Sequence, residues 1–453
     1  MKKELNEKDL LERLLNYTQE ELEEKIEDIH PADVLDLLHD NEDDFFKILK
    51  RLPDWFIAAI LEEEEDEEKY EILKKFSENK QKKILGEMSS DELTDLVGVL
   101  DEEETRDVLK KINEEDRKDV YKLLSYEPDT AGGIMATEFV SIRENKTIEK
   151  TLKYLQKEAP DAESAYYLYV INKENVLKGV VSLRDIVCND FDTKISEITN
   201  TNVISVPYYM DQEEVASKFE KYGFMTMPVV DENNKILGIV TVDDIVEVMQ
   251  EETTEDIHRL GGVDEEEKVD GSLRDSVKSR LPWLIVNLIT AIIAASVVGA
   301  FEGTISQVVT LATFMPIVAG MGGNAGTQSL TIVVRGIALG ELDKDNGMRI
   351  FIKELLVGLT TGVVIGAIIA VLGFIWERNF VFGIVIGVAM ILNMMVATMS
   401  GFIVPVILKK LKIDPALASA VFVTTVTDVL GFFFFLGLAT MFIFYGVVLC
   451  SME

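Results

Sequence analysis

The chain has 453 residues, 80 Asp plus Glu against 45 Lys plus Arg and a formal net charge of −35, yet 47% of it is hydrophobic. One soluble domain rarely combines these features, and the sequence separates them: residues 281–453 hold eight Lys/Arg and nine Asp/Glu, leaving 37 against 71 in residues 1–280. So acidic a half argues against nucleic acid and anionic lipid as partners, because phosphate binding needs clustered Lys and Arg; it favours cations, with plain solubility as the simpler role.

Residues 1–127 read as short amphipathic helices. Ser89, Asp101 and Asn113 lie twelve residues apart, each followed three positions later by Glu92, Glu104 or Asp116, the spacing of a helix-capping box. Leu96, Val108 and Val120, then Leu100, Ile112 and Leu124, keep the same step, so the helices are expected to stack into a small superhelix. The acidic run Glu62 to Glu68 reads as a solvated helix face.

Residues 128–192 and 193–252 alternate strand and helix with a repeat of 59 residues, Gly179 to Val187 matching Gly238 to Val246. The shared pattern of glycine, two apolar residues, hydroxyl, two residues and Asp resembles the tandem CBS module, in which the hydroxyl and Asp open a helix and can receive an adenosyl ribose. Helix capping by Ser182 and Thr241 is the plainer role.

Residues 253–280 form a connector. Glu247, Glu251, Glu252, Glu255 and Asp256 stack like charges at helical spacing, which destabilises a helix unless cations intervene. After Gly261-Gly262 a second helical segment leads into the last part, where uncharged runs at 281–301, 303–334, 355–376 and 379–408, and a run at 415–452 whose only charge is Asp428, each exceed the roughly 20 residues that cross a bilayer and give five spans at about 281–301, 306–334, 353–376, 380–408 and 416–447. Arg274, Lys278 and Arg280, then Lys344, Arg349 and Lys353, then Lys409, Lys410 and Lys412 fall on one side, against Arg378 on the other, which places the N-terminal 280 residues inside and the C-terminus outside. The start MKKELNEKDLLERL has no apolar signal-peptide core.

Two membrane features carry chemistry. Gly320 to Gln328 (GMGGNAGTQ, after Pro316) holds four glycines with polar side chains; such a segment can open its backbone only where it lines water or is buried in protein, and Asn324 and Gln328, four apart on one face, point to a lumen, with close helix packing as the alternative. Asp428, in TTVTDVLG, lies fourteen residues after Asp414, about 21 Å along a helix. A carboxylate at that depth costs roughly 3 kcal/mol and calls for a partner, a cation or a proton, because no Lys or Arg lies at comparable depth. Thr424, Thr425 and Gly431 share its face. Cys188 and Cys450 are too few for a disulfide framework, and His30, His39 and His258 show no catalytic or ligand spacing, so no enzyme is expected.

The order helical domain, CBS pair, acidic connector and five spans, with TEDIHRLG, GMGGNAGTQSLTIVVRG and DPALASAVFVTTVTDVLGFFFFLGLA, resembles the MgtE family of magnesium channels. The resemblance implies a multidomain membrane protein: a superhelical N-domain, an α/β CBS pair, a connecting plug helix and an all-α five-helix membrane domain. It implies a homodimer in the plasma membrane with one axial pore, where Asp428 of each protomer holds hydrated Mg²⁺. Cytosolic Mg²⁺ would close that pore by binding Glu213, Asp244, Glu247, Glu252, Glu255, Asp256 and Asp414, with Asp91 and Asp95 of the N-domain. It also implies an ATP site at Tyr167, Arg184, Asp185 and Phe224. A secondary transporter using Asp428 as a proton or Na⁺ relay is the alternative, and an anion channel is disfavoured by the lack of a basic side chain at pore depth.

Overall fold

In the computed structural model the described residues are 7–450 without 19–20, 23–24, 27–28, 42–43, 159–163, 265–266, 270, 343–345 and 418. Lys344, counted above among the loop cations, and the first six residues lie outside them. The chain divides into two compact units, Met1–Met249 and Gln250–Glu453.

The first unit opens with short helices: α1 (Glu7–Asn16), α2 (Pro31–His39), α3 (Phe45–Leu49), α4 (Asp54–Glu62), α5 (Asp66–Leu73), α6 (Glu78–Leu85), α7 (Ser90–Gly98), α8 (Glu102–Lys111) and α9 (Glu114–Leu123). Helices this short are marginal alone, so a shared core holds them. Ile48, Phe56, Ile84, Leu93, Val108 and Val120 belong to one apolar cluster. The twelve-residue step sets its inner face: Leu96, Val108, Val120 and Ile112 are buried, while Leu124, where the step ends, is 41% exposed. Asp101 caps α8 by accepting from the N–H groups of Glu103 and Glu104, and Asn113 caps α9 from Glu115 and Asp116. Ser89 stands at the N-cap of α7 without such a bond, and its own N–H donates to Glu62 Oε1 at 3.2 Å.

The acidic run from Glu62 is not a uniformly solvated face. Seven consecutive residues must cover every side of a helix end and its turn. Glu64 accordingly faces inward, buried, with an oxygen 3.0 Å from His39 Nε2.

Two similar α/β halves follow. The first is β1 (Phe139–Arg143), α10 (Ile148–Glu158), β2 (Ser164–Ile171), β3 (Leu177–Ser182), α11 (Leu183–Val187) and α12 (Ile195–Ile198). The second is β4 (Val206–Pro207), α13 (Gln212–Tyr222), β5 (Thr226–Val230), β6 (Ile236–Thr241) and the start of α14 (Val242–Gly261). In each sheet the first strand pair is parallel and the second antiparallel. The register repeats at 59 residues, Tyr167 lying opposite Ser182 and Thr226 opposite Thr241. Asn175 and Asn234 turn the two hairpins at φ 63° and 58°, a left-handed backbone that Asn tolerates better than most residues. The halves meet at the buried pair Tyr169 and Thr226, whose hydroxyl oxygens are 2.8 Å apart.

The second unit continues from α14 into α15 (Leu273–Ala300), α16 (Glu302–Gln307), α17 (Thr310–Ala338), α18 (Gly347–Glu377), α19 (Phe380–Lys410) and α20 (Ser419–Cys450). Among the described residues four helices are long and apolar enough to cross a membrane: Leu273–Ala300, Gly347–Glu377, Phe380–Lys410 and Ala420–Phe442. With 29 residues α17 is about 43 Å long, but its glycine and amide run makes it less apolar. Leu284, Leu288 and Ile292 of α15 are exposed at 59, 60 and 58%, a stripe suited to hydrocarbon rather than water. Gly358, Gly362 and Gly366 of α18, four apart, let it lie against α19; a Cβ at Gly366 would come 2.7 Å from the Gly387 carbonyl oxygen.

Candidate cation sites

In the first unit α7 carries Asp91 and Asp95 four apart, and the first turns of α14 carry Asp244 and Glu247. Asp91 is 8% exposed, and its carboxyl is pushed up to about 7 by burial and then by the charge of Asp244, against a hydrogen bond from Ser89. Burial, then Asp66 and Asp91, push Asp95 up to about 8. As a residue Asp95 is exposed, so solvent screening weakens that effect. Asp244 is raised by burial despite accepting from the Thr241 hydroxyl at 2.6 Å and its N–H at 3.2 Å, and burial also raises Glu247. Glu92 is pushed up to about 8, again by burial, although Lys69 opposes the change.

Lys69 is the cation held within this group, its Nζ 2.6 Å from Asp66 and 2.7 Å from Glu92. Burial works against its charge, but those two acids outweigh it and hold the ammonium above its ordinary value. One ammonium against Asp66, Asp91, Glu92, Asp95, Asp244 and Glu247 leaves excess negative charge in a poorly hydrated place. Among the described residues no three His, Cys, Asp or Glu side chains converge closely enough to chelate a bare ion. Mg²⁺ usually keeps several waters, so this charge suits a hydrated ion better than a tight cage. Sequence reading overlooked Glu92, Asp66 and Lys69, although the acidic run pointed to their neighbourhood. Glu213 lies apart in kind, exposed in the first turn of α13.

In the second unit the last turns of α14 carry Glu252, Glu255 and Asp256. Arg259, one turn beyond Glu255, pairs with both Glu255 and Asp414. Asp414 also accepts the Ala416 N–H at 2.8 Å. Asp256 is raised by burial and then by the charge of Asp414, with Arg335 and Arg259 opposing. The next residue, Leu260, packs against Leu330, Val334, Ala416 and Val423, tying the end of α14 to α17 and α20. Arg259 lies within the TEDIHRLG stretch, where spacing alone gives it no role.

Asp428 sits half-buried in α20, with Thr424 and Thr425 half-buried on the preceding turn. Their hydroxyl protons go to the helix backbone, Thr424 to Ala420 O at 2.9 Å and Thr425 to Val421 O at 2.6 Å, which leaves the oxygens as acceptors. Gly431 does not line an open face with them. It is buried, and a Cβ there would come 2.8 Å from Asn393 Oδ1. Asn393 on α19, which sequence reading passed over, is fully buried; its Nδ2 donates to Val318 O at 2.7 Å, and its Oδ1 has no partner.

The backbone of Gly320 to Gln328 stays closed. Helix α17 runs unbroken through Pro316 and all four glycines. Gly322 and Gly326 serve as packing notches, since Cβ atoms there would meet Asn393 Nδ2 at 2.4 Å and Val423 Cγ1 at 2.6 Å. Asn324 and Gln328 are exposed on the opposite side of the helix. A second acid was also missed: Glu354 of α18 is 3% exposed and accepts from Ser329 Oγ at 2.7 Å. Its signal was the four-residue ladder Glu354, Gly358, Gly362, Gly366, which places it on the inward glycine face.

In the α/β pair Ser182 and Asp185 form a full capping box on α11, the Ser182 hydroxyl donating to Asp185 Oδ2 at 2.5 Å. Tyr167 and Phe224 are half-buried, whereas Arg184 and Asp185 are exposed. Phe224 stacks on Tyr222 with ring centroids 5.5 Å apart.

A soluble helical domain, a duplicated α/β module and a region of apolar helices holding one mid-helix aspartate define a membrane cation transporter with a large soluble half. A family model described as a divalent cation transporter matches residues 315–438, one described as the MgtE intracellular N domain matches 29–129, and the CBS domain model matches 131–189 and 195–251. The chain is similar to the magnesium transporter MgtE of Enterococcus faecalis, 43% identical over 325 residues and 72% of each chain. It is likewise similar to that of Bacillus subtilis, 40% identical over 321 residues and 71% of each chain. The chain therefore belongs to the MgtE family of magnesium transporters. Among solved structures, the soluble part of a magnesium transporter matches with TM-score 0.51 and 37% identity over 54% of this chain and 97% of that one. The cytosolic domain of the Mg²⁺ channel MgtE in complex with ATP matches with TM-score 0.50 and 38% identity over 54% and 100%.

Proposed function

We propose that this family member is a Mg²⁺-selective, channel-type importer, working as a homodimer with one pore on the two-fold axis. In this reading α17 is the fifth span beside α15, α18, α19 and α20, the first 280 residues are cytoplasmic, and the C-terminus is outside. The observation that carries it is Asp428, the only charge between Pro415 and Met452, half-buried in an apolar helix. Two such carboxylates across an axis repel each other and so prefer a dication, and a wide site with few ligands suits an ion that sheds water reluctantly. Exposed Asn324 and Gln328, with the Thr424 and Thr425 oxygens, would accept hydrogen bonds from the waters of that ion.

Cytosolic Mg²⁺ closes the pore by neutralising two groups of acids: Asp91, Asp95, Asp244 and Glu247 in the first unit, with Glu213 of α13 as a further acid, and Glu252, Glu255, Asp256 and Asp414 in the second. The N-domain superhelix supplies Asp91 and Asp95 of the first group and the start of α14 supplies Asp244 and Glu247, while the end of α14 acts as the plug through Leu260. ATP binds at Tyr167, Arg184, Asp185 and Phe224, a reading supported by the ATP in the solved relative. Bilayer recording with Mg²⁺ gradients and a separate proton gradient tests the transport class. A current that follows the Mg²⁺ gradient and ignores pH supports a channel, while flux that reverses with the proton gradient establishes the proton-coupled alternative.

A further inference from the structure

In the first unit a cavity of about 390 Å³ opens between β1, α10 and the hairpin turns. It shares no residue with the group Tyr167, Arg184, Asp185 and Phe224. Arg143, Lys146 and Lys150 line one side, and no described lining residue is acidic. In a chain with 80 acids against 45 bases, three cations and no carboxylate around one hollow is not what surface solvation alone would leave. Phe139, Ile142, Ile171 and Ile236 form an apolar floor, with Tyr154 beside them.

Arg143 ends β1 opposite Ile171, which fixes its backbone at the cavity wall. Its Nη2 donates to Asn175 Oδ1 at 3.2 Å, while its Nη1 is buried with no partner. A buried donor left unpaired is costly, and a guanidinium fork matches the paired oxygens of a carboxylate or a phosphate, of which the more highly charged phosphate better answers two further lysines. The volume lies in the range of small-molecule sites, whose walls are mostly apolar with a few polar anchors.

We propose that this cavity binds a small organic phosphate of nucleoside monophosphate size, its phosphate held by Arg143, Lys146 and Lys150 and its ring resting on Phe139, Ile171 and Tyr154. The proposal is independent of the channel reading and of the ATP site. The test is equilibrium dialysis of the full-length protein in detergent micelles against labelled AMP, with inorganic phosphate as second probe, in a Tyr167→Ala/Asp185→Ala background that disables the other nucleotide group. AMP should bind that background. Arg143→Met, and separately Lys146→Gln with Lys150→Gln, should each weaken it at least about tenfold, and inorganic phosphate should bind at least about tenfold more weakly than AMP. Both lysines are exposed, so their replacement leaves folding intact even if Arg143→Met does not. No AMP binding in the background, undiminished binding in the lysine variant, or phosphate binding as tight as AMP would each overturn the proposal.

Discussion

Adding Mg²⁺ to the protein at neutral pH should expel protons. Asp91 is pushed up to about 7, so at pH 7 it is half protonated, and Asp95 is raised in the same direction by burial, less strongly because it is exposed to solvent. An ion that requires both as carboxylates releases at least roughly half a proton per chain, from Asp91 alone, with a further contribution from Asp95. Both folded-state values lie above those of the unfolded chain, about 4, so the folded Mg²⁺-free unit holds more protons than the unfolded one, and its stability falls as pH climbs from about 4 to about 8. For buried Asp91, moving from 3.8 to about 7, the loss is of order 4 kcal/mol, and Mg²⁺ should restore stability most strongly at high pH. Calorimetric Mg²⁺ titration in two buffers of different ionisation enthalpy measures the protons directly. Asp91→Asn should lower the release by roughly half a proton and raise the stability of the Mg²⁺-free protein at pH 8. No proton release, or Mg²⁺ affinity that does not weaken from pH 8 to pH 6, would refute the reasoning.

Neutralising Glu252, Glu255 and Asp256 together should leave Mg²⁺ current running at high cytosolic Mg²⁺; inhibition that persists unchanged in patch recordings would remove the plug from the gating account. Gly366→Leu should prevent α18 from closing on α19, because the first added carbon already meets the Gly387 carbonyl at 2.7 Å, and gel filtration of the purified protein should show loss of the folded species. Glu354→Leu leaves the Ser329 hydroxyl with only the Thr398 carbonyl, 3.0 Å away, and should lower thermal stability in detergent by about 1–3 kcal/mol; an unchanged melting temperature would show that the buried acid is not a structural partner.

Much of the architecture was legible because simple periods encode it. The twelve-residue step located the N-domain core through Leu96, Val108 and Val120, and the 59-residue repeat placed Ser182 and Thr241 at equivalent sheet ends. What composition could not tell was which role glycine plays. Gly322 and Gly326 look alike whether a helix opens or packs, and only the opposing Asn393 and Val423 decide for packing. Gly431 failed for the same reason, since a shared helical face does not say whether water or another helix covers it. Glu354 escaped because it sat at the edge of an uncharged run, although its four-residue spacing to three glycines marked the buried side. The crowding of Asp91 with Asp244 joins residues 153 positions apart, beyond the reach of any local pattern.

The central claim is that Asp428 attracts a hydrated dication within the membrane. Mg²⁺ current through purified protein in planar bilayers, compared between the native chain and Asp428→Asn at equal protein content, tests it most directly. The account predicts that the amide variant, nearly equal in shape but without charge, loses Mg²⁺ conduction while still assembling. Undiminished Mg²⁺ current in that variant would contradict it.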